Sequence, residues 1–156
     1  MGLDRPEKNM QAINIVTIVD VIGALSSGAL RDNLYMADNG WGSAGKGTAE
    51  LATACYPGQR INWVVNALDV QTAVLIDAIT FLNPDSASAA QEFVIGPGFG
   101  GTPQNFYWAG FVPCYLPPGR YGYRLKLQMG RGDRSTMSID TPVLNVQPLG
   151  WSGAAS

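Results

Sequence analysis

The chain has 156 residues, enough for one domain with a sizeable core and cramped for two. Charged residues make up 14%, well short of the usual share, and a net charge of −2 leaves no broad electrostatic footprint for nucleic acid or an anionic membrane. Histidine is absent, which removes Ser-His-Asp and Cys-His nucleophile pairs and the commonest zinc ligand together.

The first ten residues, "MGLDRPEKNM", lack the basic-then-apolar order of a signal peptide, and Pro6 breaks the myristoylation pattern. "INIVTIVDVIGAL" (13–25) then reads as a β-type run, apolar on both faces. "NLYMA" (33–37) is a shorter strand candidate. "GTAELATA" (47–54) has the composition for a short helical turn, as does "SASAAQ" (86–91). "RINWVVNAL" (60–68) and "TAVLIDAITFL" (72–82) are two more runs rich in β-branched and aromatic residues, followed by "EFVI" (92–95) and "NFYWAGFVPCYL" (105–116). "YGYRLKLQM" alternates Tyr121, Tyr123, Leu125, Leu127 and Met129 with polar residues, the period of a half-buried antiparallel strand. "GRGD" turns the chain into "RSTMSIDTPVLNV", so the two runs form a hairpin.

Several short strands with almost no helical periodicity predict an all-β, antiparallel two-layer sandwich, one domain over 1–156. The ends, about 1–10 and 148–156, are expected to be loosely ordered. No apolar run approaches the ~20 residues of a membrane helix, because Asn14, Asp20 and Asp77 interrupt the best of them. A cytoplasmic protein follows, with no nucleic-acid or membrane partner, and any export would use an unmarked route. Cys55 and Cys114 are far apart, form no metal-spaced pair, and are expected as free buried thiols. No cofactor or metal ligand set is nominated.

"DNGWGSAGKGTAEL" (38–51) nearly spells a phosphate-binding loop, with Lys46 and Thr48 in place and "AVLID" supplying a magnesium-type Asp77. Three observations oppose that reading. Asp38-Asn39-Gly40 is turn chemistry after a half-polar strand. Asp77 sits in mid-strand rather than at a strand end. The connection between "RINWVV" and "TAVLID" is too short for the parallel crossover a phosphate site needs. Gly96, Gly98 and Gly101 fit a dinucleotide spacing, but Pro103 and a β-type run follow where a helix should begin. Arg131-Gly132-Asp133 reads as a charged hairpin tip that keeps an edge soluble. A phosphotransferase using Lys46, Thr48 and Asp77 is therefore the weakest of three functional readings.

The aromatic residues carry the other two. In 105–116, Phe106, Trp108, Val112 and Leu116 share one face, and Tyr107, Phe111 and Tyr115 the other. Both are apolar, so the segment is either a central strand between layers or a face that meets another chain or a sugar. With so little surface charge to keep copies apart, a homodimer or larger assembly is expected. Trp41, Tyr107, Phe111 and Tyr115 are the candidate self-association or carbohydrate-stacking surface.

Several segments together resemble one family. "INIVTIVDVI", "NLYMADN", "GKGTAELATACYPGQRINWVV", "YGYRLKLQM" and "IDTPVLNV" are similar to the AidA/PixA group of bacterial inclusion body proteins, over residues 11–147. The most specific marks are Tyr35-Met36 and the block Gly45, Gly47, Thr48, Ala49, Glu50, Leu51. The resemblance is closest to the quorum-sensing-controlled AidA branch. With five Met the chain departs from the methionine-rich PixA branch. The resemblance implies a β-rich domain without a nucleotide site, no defined catalytic residues, and a role in density-regulated behaviour or host association.

Overall fold

The computed structural model describes residues 11–69, 72–82, 96–97, 107–129 and 136–148. Strict alternation of apolar and polar side chains decides its longest strand, β8 (Gly119–Met129). Tyr121, Tyr123, Leu125, Leu127 and Met129 are buried there, while Arg124 and Lys126 stay in solvent. The same period gives β1 (Ile13–Val19), where Ile13, Ile15, Thr17 and Val19 point inward. The other strands are β2 (Leu34–Asp38), β3 (Ala52–Cys55), β4 (Arg60–Ala67), β5 (Val74–Phe81), β6 (Gly96–Pro97), β7 (Tyr107–Phe111), β9 (Thr136–Ile139) and β10 (Val143–Val146).

The fold is an all-β two-layer sandwich. One sheet runs β2-β1-β4-β7-β6, and the other β3-β10-β8-β5, with β9 beside β8 beyond the end of β10. The sheets are mixed rather than purely antiparallel, because β1 pairs β4 and β3 pairs β10 in parallel. Chain tracing explains this. After β1 the chain crosses to the second sheet for β3 before returning as β4, so β4 re-enters in the direction β1 took. The expected hairpin forms between β8 and β9, with Leu125 opposite Ile139. Its tip, including Arg131-Gly132-Asp133, lies outside the described residues, as do 1–10, 86–95, Gly98, Gly101, Phe106 and 149–156.

Two local readings are corrected. The apolar run 13–25 is not one strand, because Asp20 ends it. The Asp20 carboxylate accepts from the Gly23 amide at 3.0 Å and caps helix α1 (Val21–Ser27), which Gly28 closes in a left-handed conformation with its N–H on Ala24 O. Val21 and Ala24, one turn apart, bury the short apolar edge that holds α1 to the core. The second correction concerns 47–54, which is not helical. Ala44 and Ala52 exchange two backbone hydrogen bonds at 3.0 and 2.8 Å, and the segment enters β3 instead.

The core is the space between the sheets. Ile15, Leu34, Met36, Ile61 and Trp63 from the first sheet pack in one cluster with Tyr123, Leu125, Leu127, Met129 and Leu144 from the second. Burying each such side chain contributes ~1.5–3 kcal/mol against leaving it in water. One side of the sandwich is also tied by polar groups. Thr53 on β3 donates to the Asp38 carboxylate at 2.6 Å, and the Gly40 amide donates to its other oxygen at 2.7 Å. At the same end Gln59 is buried and joins three loops: its side chain accepts from the Tyr56 amide and donates to Gln11 O, and its carbonyl accepts from Val112.

Candidate functional site

The outward face of the first sheet is built from the residues between the buried ones. Register places Ala37, Val16, Val64 and Tyr107 in one row across β2, β1, β4 and β7. The rows below hold Asn14, Asn62 and Ala109, then Arg60 and Phe111. In "RINWVVNA" the polar residues Arg60, Asn62 and Asn66 all fall on this outward side, so β4 is not apolar on both faces as its composition suggests.

Those polar groups hold one another. The Arg60 guanidinium donates to Asn62 Oδ1 at 3.0 Å and to the Tyr107 hydroxyl at 2.7 Å. The Tyr107 hydroxyl donates to Asn62 Oδ1 at 3.3 Å, and Asn62 Nδ2 donates to Asn14 Oδ1 at 2.8 Å. Arg60 and Tyr107 belong to the rows on either side of Asn62 and Ala109, so their bond passes over that row. This accounts for the burial of Ala109 and Asn62 on an outward face. Val16 and Tyr35, on β1 and β2, stay open to solvent.

The sequence-nominated aromatics are only partly brought together. Tyr107 and Phe111 both point outward from β7, two rows apart, and Phe111 is half exposed. Tyr115 is exposed in the loop after β7, on the opposite parity from buried Val112 and Leu116. Trp41, 87% exposed, is in the loop that leaves the end of β2, a strand three inter-strand spacings, or ~14 Å, from β7. It shares an end of the sandwich with Phe111 and Tyr115 and does not join Tyr107. Sequence reading missed Arg60, Asn62 and Asn14. The signal was the period-2 placement of Arg60, Asn62 and Asn66, hidden by the apolar weight of the whole run.

A scan against family profiles matches residues 11–136 to a domain of unknown function, DUF8788. The chain belongs to the DUF8788 family. Among solved structures it is similar to the crystal structure of an inclusion body protein, PixA, from Burkholderia cenocepacia J2315, with a TM-score of 0.65 at 16% identity. The likeness covers 91% of this chain and 97% of that one, and it establishes a common fold. The search of curated proteins gives no significant match.

Within this DUF8788 domain the Gly-Lys-Gly-Thr stretch is a strap along the edge of β2. The Gly47 amide donates to Met36 O at 2.6 Å, the Thr48 amide and hydroxyl both donate to Gly45 O, and the Glu50 amide donates to Thr48 Oγ1. The Ala44, Gly47 and Thr48 amides, which a phosphate loop would turn toward its anion, are spent inside the chain, and β3 follows where a phosphate loop needs a helix. Lys46 and Asp77 are also far apart in the fold. Asp77 sits at a bulge of β5, at the opposite edge of the second sheet from β3, and pairs with Lys126 at 3.4 Å. A charge and a bulge on an edge strand are what keep such an edge from pairing with another chain.

The two thiols differ. Cys55 is buried in β3, where desolvation and then the Asp38 charge push its pKa up to about 12. Cys114 is exposed in the loop after β7, which corrects the expectation that both are buried. Among the described residues no three His, Cys, Asp or Glu side chains cluster to hold a metal ion. No helix among them is long and apolar enough to cross a membrane.

Proposed function

We propose that this protein is a non-enzymatic, self-associating β-sandwich that pairs through the outward face of its first sheet. The observation that carries the reading is the contrast between the two outward faces. In the first sheet Arg60 is the one charged side chain on the outward rows of β1, β2, β4 and β7, and its guanidinium is engaged with Asn62 and Tyr107. The second sheet displays Arg120, Arg124, Lys126 and Asp77. A face of Val16, Tyr35, Val64 and Tyr107 whose one charge is already hydrogen-bonded within the sheet loses less solvation on docking than a face that displays four charges.

Two such faces stacked ~10 Å apart would reproduce the sandwich geometry already present inside each copy. Four strands at ~4.8 Å spacing give a face roughly 20 Å on a side, so a pair buries about 800 Å² in total, below the ~1,200 Å² of a stable interface and in the range of weak, reversible ones. A reversible dimer at micromolar concentration is the expected form. Sedimentation velocity of the wild type against Tyr107→Lys tests it. Loss of the pair in the variant supports the contact, and a wild-type monomer at all concentrations rejects it. Sugar-array binding by that monomer would put carbohydrate recognition through Trp41, Tyr107, Phe111 and Tyr115 first.

The similarity in fold to a protein called an inclusion body protein supports the same reading. Quorum-sensing control, a cytoplasmic location and a link to host association belong to this proposal through the AidA/PixA resemblance. Transcript levels at low and high cell density read out the first of these.

A further inference from the structure

The outer edges of the two sheets are not protected alike. The edge of β2 is covered by the strap, and Ala44 bridges the outer side of β3. β5 carries its bulge and the Asp77–Lys126 pair. Among the described elements β9 pairs only with β8, and Thr136, Met137, Ser138 and Ile139 include no proline, charge or bulge to close its other side.

The bonding pattern fixes what that edge displays. Tyr123 donates its amide to Pro142 O, and Gly122 O accepts from Leu82 on the β5 side. Odd-numbered residues of β8 therefore face β9, so Leu125 and Leu127 bond with Ile139 and Met137. The N–H and C=O of Thr136 and Ser138 point the other way, and no described residue meets them. An extended chain presents its own donors and acceptors at this same two-residue repeat.

A groove lies beside the edge. A cavity of about 420 Å³ separates β9 from the loop 28–31, and a second of about 290 Å³ continues it past Tyr35 to Glu50. Buried Leu30, Leu34 and Ile139 give the groove an apolar floor, and Arg31, exposed at its rim, lines both cavities. In the cavity beside β9 the other charged residue is Asp140, which is paired with Arg124 at 3.5 Å, whereas Arg31 has no ion-pair partner among the described residues. Asp32 and Glu50, in the second cavity, are likewise unpaired among them.

We propose that this groove binds an extended peptide segment of a partner protein, which adds to β9 as a further strand of the second sheet. The segment places apolar side chains at alternate positions over Leu30 and Ile139, and an acidic side chain between them beside Arg31. Asp32 and Glu50 repel acidic residues further along, so the acidic position is confined to the part next to β9. The wall formed by the loop 28–31 leaves room for a single strand. A second copy does not fit, because its own β9 edge would bring its own wall with it.

Calorimetric titration of the full chain tests the proposal with a short synthetic peptide that alternates valine and threonine and carries one central glutamate. Saturable binding is expected, weaker by about tenfold when that glutamate is replaced by lysine. Arg31→Glu should reverse the order of the two peptides. Ser138→Pro removes an N–H from the open edge without touching the β8 ladder, so binding should fall by about tenfold while the circular dichroism spectrum is unchanged. N-methylation of the peptide amides repeats that edge test on the unaltered protein. Absence of saturable binding, equal binding of both peptides by the wild type, or full binding by Ser138→Pro or of the methylated peptide overturns the proposal. A change in the sedimentation of Ser138→Pro without peptide overturns it too, since a second copy would then occupy the edge. Tyr107→Lys lies on the other sheet, so failure of the face contact is read separately.

Discussion

Trp63 and Tyr123 join the two sheets through the middle of the core. The indole Nε1–H of Trp63 donates to the Tyr123 hydroxyl at 3.2 Å, and the rings meet edge to face with centroids 5.8 Å apart and planes at 81°. Both residues are completely or almost completely buried, and Phe81 packs against the second ring at 5.8 Å. An aromatic on each central strand therefore contributes area, edge-to-face geometry and a satisfied donor at one point.

Tyr123→Phe keeps the ring and removes that acceptor. The buried Trp63 donor loses this partner, and a loss of ~1–3 kcal/mol in unfolding free energy is expected from urea titration. Adding Trp63→Phe to that variant removes the donor as well, so the double variant should lose less than the sum of the two single changes. Strict additivity would mean that the bond contributes nothing.

The strap along β2 separates a required glycine from a dispensable lysine. Gly45 has φ +76°, and a Cβ there would stand 2.5 Å from the Glu50 carbonyl oxygen. Gly45→Ala should cost at least ~1–2 kcal/mol from the left-handed backbone alone. Lys46→Ala should change stability by less than ~0.5 kcal/mol. Calorimetric titration of the wild type with ATP and magnesium should give no saturable heat. Micromolar binding lost in Lys46→Ala would restore the phosphate-loop reading.

Stability should decline in alkali. Burial, followed by the Asp38 charge, raises the Cys55 pKa from 9.0 to about 12. Burial raises Tyr123 as well, and the Trp63 hydrogen bond offsets only part of that. In both cases the folded state holds its proton more tightly than the unfolded state. Their contribution is complete below the unfolded pKa, near pH 9 for the thiol, and fades as pH rises toward 12. Thermal midpoints measured from pH 7 to pH 11 should fall above about pH 9. Cys55→Ala should flatten the first part of that decline.

The thiols also provide a test of the fold in solution. Cys114 should react promptly with a thiol reagent in the native protein, and Cys55 only after denaturant is added. Two equally fast thiols in the native state would contradict the placement of β3 inside the sandwich.

Much of the architecture can be read from alternation alone. The pattern of β8 already separates Tyr121, Tyr123, Leu125 and Leu127 from Arg124 and Lys126, because a strand's side chains must alternate between core and water. The short connection between β4 and β5 likewise rules out a parallel pair, and the two strands lie in opposite sheets. Composition hides what depends on a single side chain meeting a particular amide. Asp20 turns an apolar run into strand and helix by binding Gly23, and that local bond outweighs the β propensity of Val21 and Ile22.

Local pattern is enough for the all-β class, the inward set of β8, and turn chemistry at Asp38-Asn39-Gly40, since each depends on neighbours within a few positions. Long-range packing sets the parallel pairing of β1 and β4, the network of Arg60, Asn62, Tyr107 and Asn14, and the separation of Trp41 from Tyr107 at the end it shares with Tyr115. Asn62 and Asn14 are 48 residues apart, and Arg60 and Tyr107 are 47 apart. Such contacts depend on which strands become neighbours. The two layers settle that when they bury their apolar sides together, and no local run of residues encodes it.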